Sequence, residues 1–260
     1  MKANLWGLVV NGILTPKYFA KVEQGLRAKD AQKGLAVVKR ILASTDEEFG
    51  SRRFILDQIL EFGLSHQPWD QWARWTDHMN SSGFGLLQIP TEFADFLLFL
   101  SKQGIETSLE IGVYAGATSY ITAAVLQRAN PNAVYYMLDA FDQVVEYDMF
   151  ASVLNLKRII PHTTADIVGQ EFDYVLVDAD HSYIGAKTDY LNVGRYARKI
   201  VAFHDVHGHE YDHQDGGIVR AWSEIRAANA DKHTIIEFAH NPMRWMGLGV
   251  IVKGDAQGFG

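Results

Sequence analysis

The 260-residue sequence contains no cysteine. That removes disulfides, thiolate nucleophiles and cysteine-ligated zinc or iron–sulfur centres from consideration. It also lacks any apolar run of the roughly 18–20 residues needed to cross a bilayer. The nearest approach, NLWGLVVNGIL, runs into TPKYFAKVEQG rather than a small-residue cleavage site, so it reads as mature sequence. The expectation is a soluble, cytoplasmic protein with no membrane partner. Positive charge is in short supply too: 24 Lys and Arg stand against 31 Asp and Glu, a formal charge of −7. That balance argues against a polyanionic partner, and no nucleic acid is expected. There is no internal repeat and no low-complexity tract.

A chain that is 48% hydrophobic and 21% charged has the composition of a packed globular protein. Residues 1–100 and 101–260 differ in pattern. In the first part, Lys17 to Leu42 and Phe49 to Phe62 carry helical spacings such as Phe54, Leu56, Ile59 and Leu60. Gly25, Gly34, Gly50 and Gly63 are expected to keep those helices short or bent. Trp69, Trp72 and Trp75 stand three apart, which aligns them on one helical face for packing, or as a lid over a ligand. In GFGLLQIPTEFADFLLFLSKQG, Pro90 opens a helix whose buried stripe is Phe93, Phe96, Leu97 and Leu100. The first hundred residues therefore read as a helical N-terminal extension, placed to cap a substrate.

From residue 105 the pattern alternates. Short apolar segments (TSLEIG, AVYYMLD, KRIIPH, FDYVLVDAD, KIVAFHD) are separated by amphipathic stretches at Ser119–Ala129, Gln143–Leu154, Tyr183–Val193 and Gly217–Ala230. This is α/β grammar: a mostly parallel, Rossmann-like sheet covered by helices on both faces. HTIIEFAH and RWMGLGVIVK add two strands with no long helix between them, a C-terminal antiparallel hairpin that brings the sheet to seven strands.

LEIGVYAGATSY is the most informative segment. Leu109 and Ile111 end a buried strand, and Gly112 and Gly116 make a turn into a helix starting near Thr118. A ligand can lie against such a backbone at the helix N-terminus, although a tight strand–helix turn alone would need the same glycines. Tyr114 occupies the central glycine position of the dinucleotide fingerprint, and no Gly-Lys-Ser/Thr follows as in a nucleotide-triphosphate loop. Asp139, at the end of the next strand, suits a ribose diol. Asp178 and Asp205 close the fourth and fifth strands, with His204 beside them. Oxygen ligands from two strand ends make a platform for a divalent ion.

These segments resemble the class I S-adenosylmethionine-dependent methyltransferases, and within them the Mg²⁺-using small-molecule O-methyltransferases. LEIGVYAGATS is similar to their first motif, and VDADHSYIGAKTDY resembles the (I/V)DGDHSYEG…D segment of the macrocin-type and cephalosporin-pathway branch. The likeness runs from about Phe84 to Lys253. It implies a class I methyltransferase fold and methyl transfer to a hydroxyl of a sugar or aromatic small molecule. It places Glu110, Gly112, Tyr114, Gly116 and Thr118 at the methionine end of S-adenosylmethionine, and Asp139 at its ribose. Thr164, Ala165 and Asp166 fall at the adenine. Asp178 and Asp205 match metal-binding acids for Mg²⁺, with His204 standing where relatives often have an oxygen ligand.

A Mg²⁺ on Asp178 and Asp205 would lower the pKa of the acceptor hydroxyl and fix its line of attack. His181 is suited to general-base work, and equally to a structural hydrogen bond within DHSY. The histidines at 204, 207, 209 and 213 leave open a hydrolase or oxygenase site on Zn²⁺, Ni²⁺ or Fe²⁺, though no closed zinc spacing is present. A non-catalytic cofactor-binding domain is the third alternative. The Asn/Asp-Pro-Pro-Tyr motif of base methylation is absent. A homo-oligomer stays open.

Overall fold

Seven strands build one sheet. β1 (Thr107–Ile111), β2 (Val134–Leu138), β3 (Leu156–Ile159), β4 (Tyr174–Val177) and β5 (Ile200–His204) pair in parallel; β6 (Thr234–Phe238) and β7 (Leu248–Val252) form the antiparallel hairpin. The order is β3-β2-β1-β4-β5-β7-β6, so β7 inserts between β5 and β6. The computed structural model describes residues 16–65, 70–240 and 245–254. Its fold is the α/β, mostly parallel seven-stranded class that the sequence pattern predicts.

Each strand alternates between two apolar layers. Tyr174, Leu176, Ile200, Ala202, Val250 and Val252 face one layer; Val175, Val177, Val201, Phe203 and Ile251 face the other. The period of two in a sheet forces this division, and the near-continuous apolar strands follow from both faces being covered. The second layer is closed by α7 (Tyr183–Asn192) and α8 (Gly217–Asn229) through Ala186, Ile218, Ala221, Trp222 and Ile225. The first layer holds α1 (Pro16–Ala43), α2 (Asp46–Phe49), α3 (Arg52–Phe62), α4 (Pro90–Ser101) and α5 (Ala117–Ala129), with the short α6 (Tyr147–Ala151) at its rim.

Val37, Val38, Ile41, Ile55, Ile59, Phe62 and the α4 stripe of Phe93, Phe96, Leu97 and Leu100 are buried in the same layer as α5 and the sheet. The expected stripe on α4 is therefore present. Trp75, in a 3₁₀ segment from Asp70 to His78, is buried and packs. Trp69 lies outside the described residues, as does the side chain of Trp72.

Two helix expectations differ from the structure. α1 continues for 28 residues through Gly25 and Gly34 and is not kept short by them. A Cβ on Gly34 would stand 2.8 Å from Phe62 Cε2, so that glycine serves close helix packing. The Gln143–Leu154 stretch is helical only over Tyr147–Ala151. Its first residues are drawn under the glycine turn, where the Val145 N–H donates to the Ala115 carbonyl at 3.1 Å.

No helix among the described residues is long and apolar enough to cross a membrane.

Candidate active site

The carboxyl ends of β1, β2, β4 and β5 open on one crevice, because parallel strands deliver their following loops to the same edge. At β1 the chain turns through Gly112 at φ +90°, Tyr114 at φ +49° and Gly116 at φ +89°, the last capping α5. Asp139, at the end of β2, holds this turn. Its Oδ2 accepts from the Val113 and Tyr114 N–H groups, both at 2.9 Å, and its Oδ1 from the Phe141 N–H at 2.9 Å.

Two clefts meet here. The first, about 430 Å³, lies between Tyr114, Asp139, Phe141, His162, Thr164 and Asp189. The second, about 290 Å³, is bounded by Leu87, Glu110, Thr118, His181, His204, Asp205, Tyr211 and Met246. Gly112, Tyr114, Asp178 and Ala179 line both. A ligand with two ends can therefore lie across the turn, with Asp178 at the junction.

Of the residues predicted for the adenine end, Thr164 lines the first cleft, whereas Ala165 and Asp166 are exposed and do not. Asp166 instead closes a capping box on Thr163. Gly116 lines neither cleft; a Cβ there would meet the Tyr120 ring at 3.0 Å.

Glu110 is buried, and its Oε2 accepts from Ser119 Oγ and from Tyr135 Oη at 2.9 Å. Burial pushes its pKa up to about 8, outweighing those two hydrogen bonds. The sign of the linkage follows. Folded Glu110 keeps its proton up to about pH 8, while the unfolded side chain releases it near 4.5. Stability is then fully present below pH 4.5 and falls as pH rises toward 8, by on the order of 5 kcal/mol. Glu110→Gln keeps the acceptor and cannot ionise. Urea unfolding of this variant should show that slope removed and higher stability than the wild type at pH 8.5; an unchanged slope would mean that Glu110 ionises normally.

Asp178, His181, His204 and Asp205 form the charged centre of the second cleft. His204 Nδ1 lies 3.1 Å from Asp178 Oδ1 and 3.5 Å from Asp205 Oδ1. His181 Nε2 lies 3.4 Å from Asp178 Oδ1 and 3.1 Å from Asp205 Oδ2. Both carboxylates thus reach the same imidazole nitrogens. Gln88, from the N-terminal part, donates to Asp178 Oδ2 at 3.4 Å, and Tyr211 stacks on the His181 ring at 4.7 Å. Burial opposes the charge on His204, yet Asp205 and Asp178 carry its pKa up to about 9. Burial likewise opposes the charge on His181, but the carboxylates of Asp178 and Asp205 beside it raise its pKa. Burial raises Asp205, while Asp178 is lowered against its own burial by His204 and His181.

The donor set fits a divalent ion. Asp178, His181 and His204 each present a ligand atom within 4.8 Å of the others. Asp205 Oδ1 and His181 Nε2 are buried with no hydrogen-bond partner, which is where an unsatisfied group looks for a cation. Asp205 reaches this position from a left-handed backbone at φ +57°. The other histidines of the loop do not join the cluster. His207 faces Glu237 at 3.3 Å, His209 pairs with Asp212 at 3.0 Å, and His213 bonds the Glu210 carbonyl at 2.9 Å. No four-histidine site exists among the described residues.

The chain is similar to known methyltransferases in sequence over part of its length and in fold. Residues 109–206, from β1 to just past Asp205, match a family model described as a methyltransferase domain. An O-methyltransferase from Bacillus cereus, solved in complex with S-adenosylhomocysteine (SAH), is similar in fold. The two share 17% identity over 83% of this chain and 95% of that one, with a TM-score of 0.50. An O-methyltransferase from Streptomyces achromogenes, involved in tomaymycin synthesis and solved with S-adenosylmethionine, shares 20% identity over 81% of this chain and 92% of that one, with a TM-score of 0.48. No curated protein matches. The chain has the class I S-adenosylmethionine-dependent methyltransferase fold.

Proposed function

We propose that the protein transfers the methyl group of S-adenosylmethionine to a hydroxyl oxygen of a small molecule. The observation that carries this is the junction at Asp178. The first cleft has the Asp139 carboxylate and the volume for a nucleoside, the second has the acid–imidazole cluster, and Asp178 lines both. A sulfonium spanning the turn would present its methyl group to the cluster. The acceptor oxygen forms a bond to the methyl carbon as the carbon–sulfur bond breaks. Its electron pair stays on sulfur, leaving SAH, and the hydroxyl proton passes to His181 Nε2. Asp178 and Asp205, both beside that nitrogen, stabilise the imidazolium formed. Tyr211 stacks on the His181 ring and limits its rotation. Leu87, Gln88 and the N-terminal helices behind them close the acceptor side, consistent with a capping role.

Asp178, His204 and Asp205 would hold a divalent ion that lowers the acceptor's pKa when bound. An imidazole in the set moves the preference from Mg²⁺ toward Mn²⁺, Fe²⁺ or Zn²⁺, since Mg²⁺ favours oxygen alone. The test is methyl transfer from labelled S-adenosylmethionine to a panel of catechols and sugars, before and after chelation. Transfer should be lost on chelation and return at lower concentrations of Mn²⁺ than of Mg²⁺. Transfer indifferent to chelation would remove the ion from the account. Donor binding with no transfer to any acceptor would favour a non-catalytic domain.

A further inference from the structure

The loop after β5 brings to the second cleft one carboxylate that the mechanism above does not use. Four acids line that cleft: Glu110, Asp178, Asp205 and Glu210. Three are committed. Glu110 accepts from Ser119 and Tyr135, while Asp178 and Asp205 face the imidazoles of His181 and His204.

Glu210 is different. It sits in the 3₁₀ turn His209–Tyr211, next to the Tyr211 ring that stacks on His181. Its Oε1 accepts from the indole N–H of Trp245 at 2.7 Å, and Trp245 is itself buried. The anchor fixes the direction of the carboxylate. Among the described residues Oε2 has no hydrogen-bond partner, and no cation pairs with Glu210. Nor does Glu210 belong to the ion-binding group, whose ligand atoms come from Asp178, His181 and His204. It lines the second cleft and not the first, so it faces away from the nucleoside. No lysine or arginine lines the second cleft among the described residues. A directed carboxylate in a ligand cleft, beside the proton-accepting imidazole and lacking a donor, is suited to an N–H of the ligand.

We propose that the acceptor carries an ammonium group and that Glu210 reads it, so that amine-bearing hydroxyl compounds are preferred over their neutral counterparts. The inference rests on the methyl-transfer reading above. An ammonium meets Oε2 in a charge-assisted hydrogen bond, and no basic side chain in the wall repels it. An acceptor bearing a carboxylate instead would set like charge against Glu210. The donor's own ammonium does not fill this place in that reading. The methionine end lies at Glu110 and Thr118, on β1 and α5, and β4 separates β1 from the β5 edge that carries Glu210.

Calorimetry on the SAH-saturated protein decides the matter, with two pairs of probes that differ by an amine: dopamine against 4-ethylcatechol, and glucosamine against glucose. In at least one pair the amine should bind about tenfold more tightly. Glu210→Gln keeps an oxygen to accept from Trp245 and removes the charge. It should lose most of the preference while SAH affinity stays within about twofold. Asp212→Asn removes the same charge from an exposed neighbour that pairs with His209 at 3.0 Å, and should leave the preference as it is. A wild type that binds both members of each pair equally overturns the inference. So does a Glu210→Gln protein that keeps the full preference, or an equal loss in Asp212→Asn, which would assign the preference to the diffuse field of the loop. A loss of about tenfold in SAH affinity in Glu210→Gln would place the donor's ammonium there and overturn it as well. Binding of SAH with no uptake of any probe overturns the acceptor reading of this cleft together with the inference. A wild type that does not bind SAH overturns the methyl-donor reading itself, which separates the failures.

Discussion

Asp178→Asn is expected to lower turnover by about 10³-fold or more while leaving SAH affinity within about threefold. The change removes one negative charge and almost no volume. It takes away the partner that His204 has at 3.1 Å and that His181 has at 3.4 Å, so both imidazoles lose part of what raises their pKa. It also deprives any bound cation of a ligand. In the proposed function the donor is held chiefly by Asp139, which follows β2, and by the glycine turn after β1, so its affinity should change little. Steady-state kinetics and calorimetry on the same preparation check this. A variant with normal turnover would remove Asp178 from the chemistry. Equal losses in affinity and turnover would make it a binding residue.

Gly112→Val is expected to destabilise the protein by more than about 4 kcal/mol, the largest effect of any single substitution considered. The sequence alone suggests that added side-chain atoms would invade the donor site. The structure gives a different cause. A Cβ at 112 would stand 2.2 Å from the Asp178 carbonyl oxygen and 2.4 Å from Ala179 Cα, both backbone atoms that cannot step aside. The Asp178 N–H is itself bonded to the Ile111 carbonyl at 2.9 Å, and the Gly112 N–H to Leu138 at 2.9 Å. Strands β1, β2 and β4 are therefore locked together around this glycine, whose φ of +90° disfavours any other residue. Thermal melts should show the variant unfolded or melting more than 10 °C lower, and Gly112→Ala should already be severely affected. A valine variant melting within 2 °C of the wild type would contradict the packing described.

Much of the site was legible because parallel strands place their last residues at a common edge. Asp139, Asp178 and Asp205 each end an apolar run, so local pattern and topology together bring them to one crevice. Gln88 and Tyr211 were not legible. Their approach to Asp178 and His181 depends on how the N-terminal segment and the loop after β5 fold back over the sheet, and no spacing in the chain encodes that. The Thr164–Asp189 contact is of the same kind, joining a 3₁₀ turn to a helix 25 residues on. Gly25 and Gly34 misled for a related reason. Propensity favours a break, but the packing of α1 on α3 outweighs it. The loop histidines lack a closed zinc spacing in the sequence, and once the turn is formed the four imidazoles project to separate partners.

In the proposed function the two clefts share one ligand, S-adenosylmethionine, with its ribose on Asp139. Titration of the wild-type protein with SAH, with NAD as competitor and Asp139→Ala in parallel, tests it most directly. Saturable binding of SAH, undisturbed by NAD and weakened tenfold or more by Asp139→Ala, is the expected result. Binding of NAD without SAH, or SAH affinity indifferent to Asp139→Ala, would contradict it.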